Sequence, residues 1–227
     1  MNHNLANQLR EGTKQSHRLA ENTAYMQSFV KGELKQLTFR QFLANLYFVY
    51  DALETELLKH RHHIAIGLLY FSQLNRKANI EEDLAYYYGK DWRTKIVPSE
   101  ATKNYVSRLQ QIPTTEPILL VAHAYVRYLG DLSGGQALKN IVRTGLNLPE
   151  GLGTRFYEFD AFDSIGAIRE FKQQYRHALN SLPLESELAI AIVDEANYAF
   201  QLNRDLLDSL EPEVTGENSV TTSLVSC

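Results

Sequence analysis

The sequence has a single cysteine, Cys227, and it is the last residue. An intramolecular disulfide framework and a thiolate metal cage are therefore excluded within one chain, and a reducing, cytosolic compartment is expected. No charge of one sign dominates: 23 Lys and Arg stand against 27 Asp and Glu, a formal net charge of -4. That balance gives no global excess for neutralising phosphates, so no nucleic-acid partner is expected. Long apolar runs are missing too. The longest, Ile118–Val126 and Leu188–Val193, fall well short of the roughly 20 residues that span a bilayer. Met1–Gly12 has no apolar stretch after its charges, so neither a secretory signal nor a membrane anchor is expected, and the chain reads as soluble and cytoplasmic. GxGxxG, GxxxxGK[ST], HExxH and GxSxG are all absent. So is Glu-x-x-His, of which a ferritin-like di-iron bundle needs two copies. With no flavin or nicotinamide motif, any electrons must come from outside.

Proline and glycine are sparse, six and twelve in 227 residues, and 44% of the chain is hydrophobic. Between these few breaks apolar residues recur at spacings of three and four, the mark of amphipathic helices, while period-two alternation is hard to find. Helices are predicted at about 4–22, 38–59, 62–74, 79–89, 99–111, 115–144, 164–181 and 184–210. Thr38, Thr115 and Ser164 are the candidate caps, and Pro113, Pro117, Pro149 and Pro183 mark turns or first turns. No repeat or linker divides the set. The expected architecture is all-α, a single bundle-like domain over 1–210 followed by a disordered polar tail over 211–227.

The segment Gly130-Asp131-Leu132-Ser133-Gly134-Gly135 interrupts an otherwise strong helical pattern. Each interior glycine costs about 0.5–1 kcal/mol relative to alanine. Such a cluster points to a kink, and to a surface kept bare either for a cofactor or for a tight helix crossing.

Seven histidines compete as metal ligands. His17 shares a face with Leu5, Leu9, Thr13 and Ala20, which turns it inward, and Glu21 one turn later can orient its ring. A hydrogen-bonded core histidine is the plainer alternative. His60, His62 and His63 sit among Lys59 and Arg61 and read as a solvated helix end. His123 lies two turns before Gly130 and suits either the core or a cofactor wall. Arg10 and Lys14 lie upstream of His17, while Lys172 and Arg176 are spaced i, i+4. These cations are ordinary solvated groups unless His17 binds haem iron, in which case Arg10, Lys172 and Arg176 become candidates to clamp the propionates. Tyr47, Phe48, Tyr50, Tyr125, Tyr128, Tyr198 and Phe200 are mostly core, with some able to line a flat pocket.

Several runs resemble one family, the haem oxygenases. Leu119–Leu138, LLVAHAYVRYLGDLSGGQAL, is similar almost letter for letter to that family's distal-helix signature, and HRLAEN at 17–22 to its proximal-helix motif. YYYGKDW ending at Trp92, FKQQYR at 171–176 and AFQLN at 199–203 extend the likeness from Leu5 to Leu210.

The resemblance implies haem b, both cofactor and substrate, sandwiched between a proximal helix and a kinked distal helix. His17 would be the iron ligand and Glu21 its partner, with Phe200 lining the site. Gly130, Gly134 and Gly135 would make close backbone contacts. Asp131 would organise water above the ring, helped by Tyr50, Arg127 and Asn203, while Arg10, Tyr125, Lys172 and Arg176 would hold the propionates. The family often has lysine where this chain has Arg10; the charge survives and the geometry changes.

The implied reaction uses molecular oxygen and external electrons to give biliverdin IXα, carbon monoxide and ferrous iron. A neutral histidine ligand lacks the electron push of a thiolate, which favours attack on the porphyrin. An acidic ferredoxin would dock on basic residues such as Lys139, Arg143 or Lys172, and a biliverdin reductase could follow. The alternatives are a haem carrier or sensor without turnover, and a non-haem enzyme like the thiamin-salvaging relatives of this fold.

Overall fold

The computed structural model describes residues 4–210; the tail over 211–227, His3 and Cys227 lie outside the described residues. Eleven α-helices and no strand occur among them: α1 Leu5–Gly12, α2 Lys14–Glu21, α3 Ala24–Val30, α4 Gln36–Lys59, α5 Ile66–Leu69, α6 Lys77–Tyr88, α7 Glu100–Thr115, α8 Leu120–Ala124, α9 Gly130–Gly145, α10 Ile165–Asn180 and α11 Ser186–Asp208.

α4 is the spine. Its 24 residues bury Phe39, Leu43, Leu46, Val49, Tyr50 and Leu53 among others, and α6, α7 and α8 pack around it. Each large apolar side chain removed from water in this way contributes about 1.5–3 kcal/mol. Asn45 ties α4 to the start of α7, accepting from Ser99 N at 2.9 Å and Thr102 Oγ1 at 2.7 Å. On the other side α11 covers α1, α2, α7 and α8.

The expected 4–22 helix is two. Thr13, at φ -101° and ψ 1°, separates them, and its hydroxyl donates to Leu9 O at 2.7 Å. Gly12 explains the break: a Cβ there would lie 2.6 Å from Val193 Cγ1, so α11 comes this close only over a bare backbone. α3 is an unpredicted helix, seven residues long and capped by Thr23, whose hydroxyl accepts from Met26 N at 3.3 Å.

Among the expected caps, Ser164 serves, accepting from Ala167 N at 3.1 Å. Thr38 lies inside α4, which begins at Gln36, and Thr115 ends α7 instead of starting a helix. α7 continues through Pro113 into its last turn, giving up the one backbone hydrogen bond that a proline cannot donate. The 62–74 prediction shrinks to α5 and a 3₁₀ turn at Ser72–Leu74, since the His and Arg cluster before it stays solvated. No helix of the described residues is long and apolar enough to cross a membrane.

Candidate active site

The distal segment is continuous from α8 into α9, and its irregularity lies before the glycines, not at them. Tyr125–Leu129 forms a π-helical turn, and α9 proceeds regularly from Gly130. The wider turn shifts the angular phase of the α9 side chains relative to those of α8, as π turns at functional positions commonly do. Arg127 is buried here, 8% exposed, beside Asp131 one turn on.

Four predicted residues from three helices meet at that point. Tyr50 of α4 donates its hydroxyl to Asp131 Oδ2. Arg127 Nε donates to the Tyr50 hydroxyl at 3.1 Å, and its Nη1 donates to Asn203 Oδ1 of α11 at 2.6 Å. Arg127 Nη2 stands 3.6 Å from Asp131 Oδ1. Burial pushes the Asp131 carboxyl upward in pKa, while the Arg127 charge, the Tyr50 hydrogen bond and the Arg76 charge pull it back. Burial works against the charge of Arg127, but Tyr50 and Asp131 hold its pKa above the ordinary value. A carboxyl balanced between these effects can hold a proton and give it up.

The glycines separate by what surrounds them. A Cβ on Gly130 would meet nothing within 4 Å, and one on Gly134 only Leu138 Cδ1 at 3.8 Å. A Cβ on Gly135 would lie 3.7 Å from Tyr157 Cδ1, an ordinary contact distance. Packing within the chain therefore does not require these glycines. Gly130, Asp131 and Gly135 line a cavity of about 140 Å³, closed by Phe29, Phe42 and Phe156. This bare backbone against an apolar wall suits a flat, rigid ligand.

On α2, His17 Nδ1 lies 3.4 Å from Glu21 Oε2, and the imidazole meets Phe200 edge-on at 5.5 Å between ring centroids. The expectation that His17 turns inward is corrected: 52% of its side chain is exposed. Thr13 and Ala20 are buried in packed core, whereas His17 stands at the edge of Phe200 on α11.

The propionate candidates share a corner. The Arg176 and Arg10 charges both act on the Tyr125 phenol, whose pKa burial raises. Lys172 Nζ reaches Ser133 Oγ of α9 at 3.4 Å, and burial followed by its Arg176 and Arg169 neighbours lowers its pKa. Among the described residues no carboxylate lies within 4 Å of Lys172 or Arg176, and Arg10 has only its neighbour Glu11 at 3.7 Å. Such a cluster is set for carboxylates from elsewhere.

Lys139, by contrast, is already paired with Glu158 at 2.7 Å and is a poor docking cation. His123 is a core residue: it is fully buried, with Nε2 2.9 Å from Glu195 Oε1. His60 Nδ1 lies 2.9 Å from Glu56 O at the end of α4, a helix-end contact. No group of three or more His, Cys, Asp or Glu among the described residues is placed to hold a metal ion.

Met26, Phe29, Phe42, Leu138 and Phe156 line the cavity unannounced. Phe29 lies on the helix that periodicity missed, and Phe156 in a stretch without helical period. The only signal was the Thr23 cap preceding an apolar run.

An all-helical fold with a buried acid–guanidinium network on a bare helix, and a histidine beside a carboxylate on another, suits a protein that handles a flat cofactor. The family model described as heme oxygenase matches residues 3–209. Heme oxygenase 2 of the cyanobacterium Synechocystis sp. is 56% identical over 208 residues, covering 92% of this chain and 83% of that protein. The crystal structure of Synechocystis heme oxygenase-2 with heme and NO superimposes with a TM-score of 0.90 at 55% identity, covering 92% of this chain and 85% of that one. The Synechocystis heme oxygenase-1 structure with heme gives 0.89 at 48% identity, covering 92% and 93%. This chain belongs to the haem oxygenase family, and it is an enzyme. Its bare distal backbone, its histidine beside a carboxylate and its cationic corner, where Lys172 and Arg176 have no carboxylate partner among the described residues, all fit haem.

Proposed function

We propose that this haem oxygenase opens haem b at the α-meso carbon, using molecular oxygen and external electrons and releasing biliverdin IXα, carbon monoxide and ferrous iron. Asp131 carries this reading: a haem carrier has no use for a buried carboxyl poised by Tyr50 and Arg127 beside a bare helix. When bound, haem supplies the iron that activates oxygen and the porphyrin that is consumed.

The residues divide the remaining work. His17 offers one nitrogen to the iron, and Glu21, 3.4 Å from the other, orients the ring. Phe200 seats the imidazole edge. Arg10, Tyr125, Lys172 and Arg176 hold the propionates and set the rotation of the ring. Gly130, Gly134 and Gly135 let the α9 backbone approach the ring face, which limits where attack falls. Asp131 holds a proton and passes it through water, with Tyr50, Arg127 and Asn203 fixing its carboxyl. The apolar wall of Phe29, Phe42 and Phe156 keeps bulk water out.

Electrons come from an acidic ferredoxin attracted by cations at the site's edge, including Arg143 and Lys172. A biliverdin reductase takes the product, and the reaction proceeds in the cytoplasm.

The test is to add haem, reductant and oxygen. The Soret band should decay to a biliverdin spectrum; its persistence would mean a carrier. Asp131→Ala should retain haem while biliverdin yield collapses by roughly 10²-fold or more, and unchanged yield would refute the assigned role. His17→Ala should lose the histidine-ligated haem spectrum with the helical fold intact.

A further inference from the structure

Four side chains on α6 and the residue preceding it, Arg76, Asn79, Asp83 and Tyr87, are spaced by three, four and four, so they form one ridge. A polar ridge of this kind normally faces water. Here Arg76 is 2% exposed, Asn79 6%, Asp83 0% and Tyr87 8%.

All four grip the backbone of a single short segment. Asp83 accepts from Arg155 N at 2.9 Å and from Phe156 N at 2.8 Å. Asn79 donates to Arg155 O and Glu158 O, each at 3.2 Å. Arg76 donates to Glu158 O and lies 3.7 Å from the Phe159 ring centroid. Tyr87 donates to Gly153 O at 3.0 Å. Among the described residues neither the Asp83 carboxyl nor the Arg76 guanidinium forms a salt bridge, although the Asp131 and Glu54 charges act on Arg76 from further off. Two buried ionisable side chains thus bond the same turn and not each other, and burial raises the pKa of the Asp83 carboxyl to about 7 against the pull of the Phe156 and Arg155 N–H groups. Burying polar groups is costly unless they are hydrogen-bonded, and the backbone of that turn supplies most of the bonds that satisfy these two.

The far side of the turn is the distal wall. The Phe156 ring packs against Tyr50 at 5.8 Å, and Tyr50 donates to Asp131. Tyr157 contacts Gly135, and its carbonyl accepts from Gln136 Nε2 at 3.3 Å. The ridge is anchored to α4 as well: Glu54, one turn after Tyr50, accepts from Arg76 N at 2.5 Å and Lys77 N at 3.1 Å.

We infer that Asp83, with Asn79 and Arg76, forms a positioning clamp for ring opening: by fixing residues 153–158 it sets Tyr50 and Gly135, and through them where on the porphyrin attack falls. The inference rests on the proposed haem-opening reaction. The clamp touches no reacting atom. Its loss misplaces the distal wall while leaving the His17 side intact.

The test compares Asp83→Asn and Asn79→Ala with the wild-type enzyme. The readouts are haem affinity, kcat, biliverdin isomer composition and, in the haem-free chain, the hydroxyl proton resonance of Tyr50. Asp83→Asn keeps the shape but sets an amide N–H against a backbone N–H. It should bind haem within about threefold of wild type, lose roughly 10–100-fold in kcat, release isomers besides IXα and shift the Tyr50 resonance. Asn79→Ala should shift the same readouts in the same direction by less, and it decides the matter if Asp83→Asn does not fold. A folded variant with lower thermal stability but wild-type kcat, only the IXα isomer and an unmoved Tyr50 resonance would overturn the inference. Wild-type turnover to biliverdin is the control: its absence defeats the proposed reaction, whereas its presence beside indistinguishable variants defeats the clamp alone.

Discussion

Gly12 and Gly130 both end or begin helices, and their surroundings separate them. At Gly12 a Cβ would enter Val193, while at Gly130 it would meet no protein atom within 4 Å. Gly12→Ala should therefore destabilise the haem-free chain by about 1–3 kcal/mol, the range for overpacking. Gly130→Ala should leave that stability unchanged or raise it by up to about 1 kcal/mol, because helical glycine is entropically unfavourable. Haem titration should reverse the order, with Gly130→Ala the weaker binder. Thermal melts of the haem-free variants beside haem-binding curves check this, and a Gly130→Ala chain that binds haem normally would assign that glycine no ligand role.

At the scale of elements, the buried link among α7, α8 and α11 is the clearest case. Glu195 receives two hydrogen bonds from Arg108, at 2.9 and 2.5 Å, and faces His123 Nε2 at 2.9 Å. Burial alone would raise the Glu195 pKa, but the His123 and Arg108 hydrogen bonds overcome it and bring it to about 2. Burial lowers the pKa of His123 itself, against the pull of Glu195. Removing the carboxylate with Glu195→Ala leaves both partners unsatisfied and should cost about 2–4 kcal/mol. The pH dependence has a definite sign. The folded pKa lies below the ordinary 4.5, so this stabilisation is full above pH 4.5 and drains away as pH falls toward 2. Urea midpoints between those values should fall less steeply for Glu195→Gln than for wild type; equal slopes would show that Glu195 is not the titrating group.

For the whole molecule, the net charge of -4 hides a local reversal. Arg10, Lys172 and Arg176 gather where no internal carboxylate neutralises the latter two, so the proposed acidic electron donor should be attracted to that edge in spite of the total. Raising ionic strength from about 0.01 to 0.15 M shortens the Debye length from about 30 to 8 Å. Ferredoxin-supported turnover should fall several-fold over that range, and turnover with a small uncharged reductant should not. Arg143→Glu should flatten the salt dependence; an unchanged dependence would place docking elsewhere.

The sequence by itself determined the helical class, since sparse proline and glycine left the three-four spacing of apolar residues uninterrupted over most of the chain. It also carried the groups of the proposed site, because LGDLSGGQAL and HRLAEN resemble a family's motifs in contiguous runs, whereas spacing alone left His17 a candidate core histidine and the glycines open. Tertiary structure decided the rest. The choice between packing and ligand contact at Gly130 depended on what lies across from the helix, which no local pattern encodes. His123 became core and Lys139 became paired because Glu195 and Glu158 arrive from distant positions. The α6 ridge reads from sequence as an ordinary solvated face, with Arg76, Asn79 and Asp83 polar and evenly spaced. Only the fold lays residues 153–158 over it, because a buried polar group is tolerated where backbone groups far along the chain come to meet it.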